Sequence, residues 1–98
     1  MDTIWVACLE VLAYIDSAPI EGELGFINVV VSANDAASAE AKVRAVLKEY
    51  GWEVLGIEGI YTVSPDRDYD DDLPELIEDV IAHPEHIRLS TLYSYKPN

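Results

Sequence analysis

Between Asp66 and Asp72 the chain reads D-R-D-Y-D-D-D, with Asp66, Asp68 and Asp70 at alternate positions of one short segment. Carboxylates at the first, third and fifth positions of a loop can converge on a hard cation, and Ca²⁺ takes about six to eight oxygens at such spacing. The EF-hand pattern continues with Gly at the sixth position and a bidentate Glu at the twelfth, where this chain has Asp71 and Ile77. The match ends there, and the segment reads as a solvated acidic loop leading into a helix.

His83 and His86 form a second constellation, H-P-E-H. Zinc sites use imidazole pairs of this kind, but Pro84 is expected to break a helix between them and no Cys lies nearby. Both are expected as exposed residues at a helix end, where protonation suits the macrodipole. Cys8 lies in an apolar run and is expected to be a buried, inert thiol. Glu10, Glu53 and Glu58 also interrupt apolar runs. Burial would raise their pKa values towards acid–base work, whereas pleat alternation would turn them to solvent; the second is expected. A Gly-rich phosphate loop, a Ser-centred elbow and HExxH are all missing. No residue is assigned as catalytic, cofactor-binding or metal-binding, and the expectation is a protein that is not an enzyme.

The elements that would position these groups follow from hydrophobic period. Ile4 to Ile15 (IWVACLEVLAYI) is rich in β-branched and aromatic residues with apolar side chains on both alternating faces, which predicts a central strand covered on both sides for much of its length, or one with a polar break at Glu10. A signal segment would need a basic start, and a membrane span ~20 apolar residues without a charge. Leu24 to Ala33 predicts a second strand, with Ile27, Val29, Val31 and Ala33 on one face and Phe26, Asn28, Val30 and Ser32 on the other. A long hairpin is the natural pairing. Asn34 or Asp35 then caps a helix whose face is Ala39, Val43, Val46, Leu47 and Tyr50, ended by Gly51. Trp52 to Val63 predicts a third strand, parallel to the second across a right-handed crossover, with Gly56 and Gly59 marking a bend or bulge.

Asp72 predicts the N-cap of a second helix, with Pro74 in its first turn, Glu75 as capping-box partner and Leu73, Leu76, Ile77, Val80 and Ile81 on its apolar face. That helix should end near His83 and Pro84. Ile87 to Tyr95 alternates cleanly and predicts a fourth strand at an edge. The expected fold is α+β: a two-layer sandwich of order ββαβαβ, with a mixed sheet of about four strands and two helices, in one domain over residues 1–98.

Composition narrows the function classes. Nineteen Asp and Glu oppose six Lys and Arg, a net charge of −13 in 98 residues, yet 50% of residues are hydrophobic and the mean hydropathy is +0.07. Such a chain can fold, against its own repulsion. Cations are lacking before Lys42, whereas Asp66 to Glu85 holds nine carboxylates and one cation, Arg67. The field repels nucleic acid and anionic lipid and attracts a basic protein surface or a divalent cation. A lone Cys allows no internal disulfide, so the cytoplasm is the expected compartment. Six Tyr and two Trp are the other bias. Trp5, Trp52 and Tyr50 are expected in the core, while Tyr69, Tyr93 and Tyr95 are candidate anchors, with Tyr61 able to reach the region of the last strand.

In size, acidity and ββαβαβ pattern the chain resembles small acidic immunity proteins of bacterial toxin systems and phage-encoded inhibitors of host defence. That resemblance rests on whole-chain traits and transfers no residue roles. It implies a protein-binding inhibitor that covers a basic surface of a partner, for example the nucleic-acid groove of a nuclease or toxin. Steering and contact would then fall to Asp66, Asp68, Asp70, Asp71, Asp72, Glu75, Glu78 and Asp79, with Tyr69 as anchor. The alternatives are a homodimerising structural or assembly module without catalysis, joined through the edge strand or an open sheet face, and a cation-binding protein using the Asp66 to Asp72 loop.

Overall fold

Strict alternation in the first two apolar runs builds the sheet. The computed structural model describes residues 3–13, 23–64, 69, 72–90 and 93–94. β1 (Thr3–Ala13) and β2 (Glu23–Ala33) pair antiparallel in unbroken register from Thr3 against Ala33 to Ala13 against Glu23. Trp5 Nε1 donates to Ala33 O at 3.1 Å and pins the end of the hairpin. α1 (Ala36–Glu49), β3 (Glu53–Thr62), α2 (Leu73–Ala82), β4 (Arg88–Leu89) and β5 (Tyr93–Ser94) follow. The strand order is β3-β1-β2-β4, with β5 also paired to β2. The expected central strand is therefore β1.

Every ladder is antiparallel, which corrects the expected mixed sheet. β2 and β3 do run in the same direction across α1, but β1 lies between them and pairs antiparallel with both. The other edge also departs from expectation. Ile87 to Tyr95 pairs with β2 as two short pieces whose registers differ by one residue: Leu89 opposes Val29, whereas Tyr93 opposes Phe26.

Two apolar clusters flank the sheet. Ala7, Leu9 and Val11 of β1 and Ile27, Val29, Val31 and Ala33 of β2 pack under Ala39, Val43 and Leu47 of α1. Val6 and Val30, the neighbours of Ala7 and Val29 in sequence, belong instead to the cluster of Leu73, Leu76, Ile77 and Val80 from α2. Successive strand residues point to opposite faces, so the helices cover opposite faces of the sheet. The α+β sandwich of ββαβαβ order is thus built with the sheet between its two helices, where two layers were expected. The physical reason is that β1 is apolar on both sides, and each side needs cover. Fully burying each Val or Leu at these positions contributes about 1.5–3 kcal/mol.

The caps show why α1 holds its place. Ser38 N donates to Asp35 Oδ1 at 2.7 Å at the N-terminus. At the other end Trp52 N donates to Leu47 O at 3.0 Å and Gly51 N to Lys48 O at 2.9 Å, with Gly51 at φ +76°. This pair of bonds is a Schellman motif, which requires the left-handed residue that glycine supplies most easily. Tyr50, expected in the core, is 57% exposed and lies against Trp52 with ring centroids 5.7 Å apart. It follows the last residue of the helix, so its side chain has already left the packed face.

Candidate functional site

α2 carries its chemistry on the side away from the core. Leu73, Leu76, Ile77 and Val80 are buried, whereas Glu75 and Glu78 are exposed. Asp72 is the N-cap residue, half-buried, with Pro74 in the first turn; its side chain makes no capping hydrogen bond, and Leu76 N donates to its carbonyl at 3.2 Å. The reciprocal capping box expected with Glu75 is therefore not formed: Asp72 has helical dihedrals, φ −89° and ψ −2°, where an N-cap residue is ordinarily extended. Asp66, Asp68, Asp70 and Asp71 lie outside the described residues.

The two helices differ sharply in charge. α1 carries Lys42, Arg44 and Lys48 beside Glu40 and Glu49, while α2 carries Glu75, Glu78 and Asp79 with no basic residue in its last turn. Arg44 Nε pairs with Glu40 at 3.0 Å, and Lys42 Nζ donates to Ser32 O at 2.8 Å. Since the helices occupy opposite faces, the cations of α1 and the carboxylates of α2 are held on opposite sides of the sheet.

Beside the acidic face runs an apolar groove of about 410 Å³ lined by Ile4, Val63, Ser64, Tyr69, Pro74, Ile77 and Ile81. Ile81 is 59% exposed there, because its position turns it off the face that meets the sheet. Tyr69 is half-buried against the second cluster, and its Oη accepts a hydrogen bond from Ser64 N at 3.0 Å. Tyr69 thus combines a fixed ring with a wall of the groove. Tyr61 is half-buried in the same cluster on β3, at the opposite sheet edge from β5, so it is separated from the last strand by β1 and β2.

Where α2 ends, a polar cluster forms that the sequence only partly discloses. Asp79 Oδ2 accepts from His86 Nδ1 at 2.8 Å and from Arg88 Nη1 at 2.9 Å. The His86 hydrogen bond, and then that of Arg88, hold the Asp79 carboxyl below the usual carboxylate range. Pro84 does break the helix, as expected. The turn that follows, closed by His86 N to His83 O at 2.8 Å, nevertheless returns the two imidazoles to one another, with centroids 4.8 Å apart and planes 28° from parallel. Their separation by Pro84 was the sequence argument against a shared site. Asp79 four residues before His83 and Arg88 two residues after His86 were the available signal.

Cys8 is half-buried, and burial, then the Glu58 carboxylate, push its thiol pKa up, which lowers the thiolate fraction. Glu53 and Glu58 are exposed and Glu10 is half-buried. Glu58 and Leu55 are the residues skipped at two register shifts between β1 and β3, so the bulges fall beside Gly59 and Gly56 as those glycines suggest. Among the described residues no helix is long and apolar enough to cross a membrane.

No family model, no curated protein and no solved structure matches the chain.

Proposed function

We propose that this protein is an acidic, non-catalytic inhibitor of the immunity type, acting in the cytoplasm by covering a basic surface of a partner protein such as a nuclease or toxin. The observation that carries this reading is the segregation of charge: Glu75 and Glu78 project from a helix without cations, on the sheet face opposite the cationic helix α1. A predominantly acidic face steers a basic partner and speeds encounter, towards ~10⁸ M⁻¹s⁻¹ at low salt. The groove at Tyr69 and Ile81 adds the apolar area that charge alone lacks, since lifetime in a complex comes from desolvated anchors within a polar rim.

Passing lysate over the immobilised protein at low salt, eluting along a salt gradient and identifying the bound proteins supplies candidates; the decisive step is kinetic. For a captured basic partner, Glu75→Gln with Glu78→Gln is expected to slow association about 3- to 10-fold at low salt and to have little effect at ~0.5 M salt. A partner whose association rate ignores both salt and these substitutions removes the proposal.

Self-assembly through the sheet is the second reading, and the bulges of β3 bear on it. An edge strand interrupted twice, with Leu55 and Glu58 displaced from the ladder, is a poor template for another strand. The edge expected to join copies, Ile87 to Tyr95, pairs with β2 as two short pieces, and each sheet face carries a helix. Of the carboxylates in the cation-binding reading, Asp66, Asp68, Asp70 and Asp71 lie outside the described residues, and Asp72 is the N-cap residue of α2.

A further inference from the structure

The acidic surface invites attention to hard cations, but the described residue types best suited to a specific metal lie elsewhere. The ligand atoms of His83, Glu85 and His86 all lie within 4.8 Å of one another. Glu85 Oε1 is the shared vertex, 3.6 Å from His83 Nδ1 and 3.9 Å from His86 Nε2. Two imidazole nitrogens and a carboxylate oxygen form the donor set of a borderline divalent ion such as Zn²⁺ rather than of Ca²⁺ or Mg²⁺, which take oxygen. In a tetrahedral site with bonds of ~2.0–2.1 Å the ligand atoms stand ~3.3 Å apart. All three residues are exposed, and the stacked rings, 4.8 Å apart with planes 28° from parallel, must rotate to bring both nitrogen lone pairs onto one ion.

A second observation, outside the three ligands, points the same way. Asp79 Oδ2 lies 2.8 Å from His86 Nδ1. A carboxylate can only accept, so Nδ1 carries the hydrogen, and in the neutral ring the lone pair is left on Nε2, the nitrogen that faces Glu85. Arg88 Nη1, 2.9 Å from the same Asp79 oxygen, holds that carboxylate from its other side. A carboxylate behind a histidine, fixing both its tautomer and its orientation, is the outer support that metal-ligating histidines use.

We propose that His83 Nδ1, Glu85 Oε1 and His86 Nε2 form a binding site for a borderline divalent metal ion, with Asp79 and Arg88 as positioning residues and the fourth coordination position open. This site stands independently of the inhibitor reading. The turn from His83 to His86 supplies all three ligands within four residues. The open position would go to water or to a side chain of another molecule.

The probe is Zn²⁺ alone, titrated calorimetrically at about pH 7 in ~0.15 M NaCl with millimolar Mg²⁺ present to occupy weak carboxylate sites. One Zn²⁺ per chain is expected, with selective shifts of the His83 and His86 ring resonances by NMR. His83→Gln and His86→Gln should each weaken the site by about tenfold or more, and Asp79→Asn by about tenfold through loss of ring orientation. Glu75→Gln with Glu78→Gln should leave it within a factor of two or so. Zinc uptake that survives the combined His83→Gln and His86→Gln substitution unchanged would assign binding to the acidic surface and overturn the proposal. So would the absence of any one-to-one uptake at ~0.1 mM Zn²⁺.

Discussion

Ser90 and Asn28 exchange two hydrogen bonds across the β2 edge: Asn28 N donates to Ser90 Oγ at 2.9 Å, and Ser90 N donates to Asn28 O at 2.8 Å. A serine hydroxyl here takes the place of a backbone carbonyl. That substitution occurs where the registers of β4 and β5 against β2 slip by one residue, so the side chain keeps an amide satisfied at the point where the ladder changes step. Ser90→Ala removes the acceptor, and Ser90 is only 6% exposed. The expected loss is about 1–2 kcal/mol, read as a lower urea midpoint with unchanged slope. A variant as stable as the parent would mean that the hydroxyl is dispensable there.

Gly51 offers a cleaner backbone experiment. A Cβ built at this position meets nothing within 4 Å, so any cost of Gly51→Ala is conformational and not steric crowding by neighbours. At φ +76° that cost is about 1–2 kcal/mol. Gly56→Ala, where the φ is ordinary and space is equally open, serves as the control and should change thermal stability much less.

The N-cap of α1 makes a pH-dependent contribution whose sign can be worked out. The Ser38 amide holds the Asp35 carboxyl below its ordinary value. A carboxyl with a depressed folded pKa contributes stability above its unfolded pKa, near ~3.9, and loses it as pH falls through the folded value. Asp35→Asn keeps an acceptor for the Ser38 amide but cannot titrate. The parent should therefore lose stability relative to Asp35→Asn between about pH 5 and pH 2, followed by chemical denaturation at each pH. Parallel curves would show that Asp35 titrates alike in folded and unfolded chains.

Self-repulsion sets the response to salt. With a net charge of −13 and the carboxylates of α2 facing one side, raising NaCl from ~0.02 to ~0.5 M should increase the melting temperature by several degrees. Glu75→Gln with Glu78→Gln should raise the low-salt value and reduce the dependence on salt. Differential scanning calorimetry distinguishes this from a chain whose charges are too far apart to matter, for which the two curves would coincide.

Much of the architecture was legible because it follows from local spacing. The alternation of Ile27, Val29, Val31 and Ala33 against Phe26, Asn28, Val30 and Ser32 determined which β2 residues share a face, and the structure buries the first set together. The pair Asn34 and Asp35, together with Gly51, bounded α1 to within a residue, since capping depends on side-chain acceptors and permitted φ within a few residues, and the structure takes Asp35 as the cap. Gly56 and Gly59 foretold the bulges, though not that Leu55 and Glu58 would be the residues displaced. The net charge and its crowding towards Asp66 to Glu85 needed no fold at all.

Tertiary structure alone decided the relationships between distant segments. Val6 and Ala7 are adjacent in sequence, yet one packs with α2 and the other with α1, because a doubly apolar strand can be covered on both sides and only the assembled chain fixes which helix takes which. That choice puts the cations of α1 and the carboxylates of α2 on opposite sides. The order β3-β1-β2-β4 was likewise undetermined by period, since alternation says which residues share a face and not which strands pair. At the end of α2, sequence showed two histidines parted by a proline; the fold turned the chain back on itself and set Asp79 behind His86. Residue types determine which atoms can bond, but only the path of the backbone brings those atoms within reach.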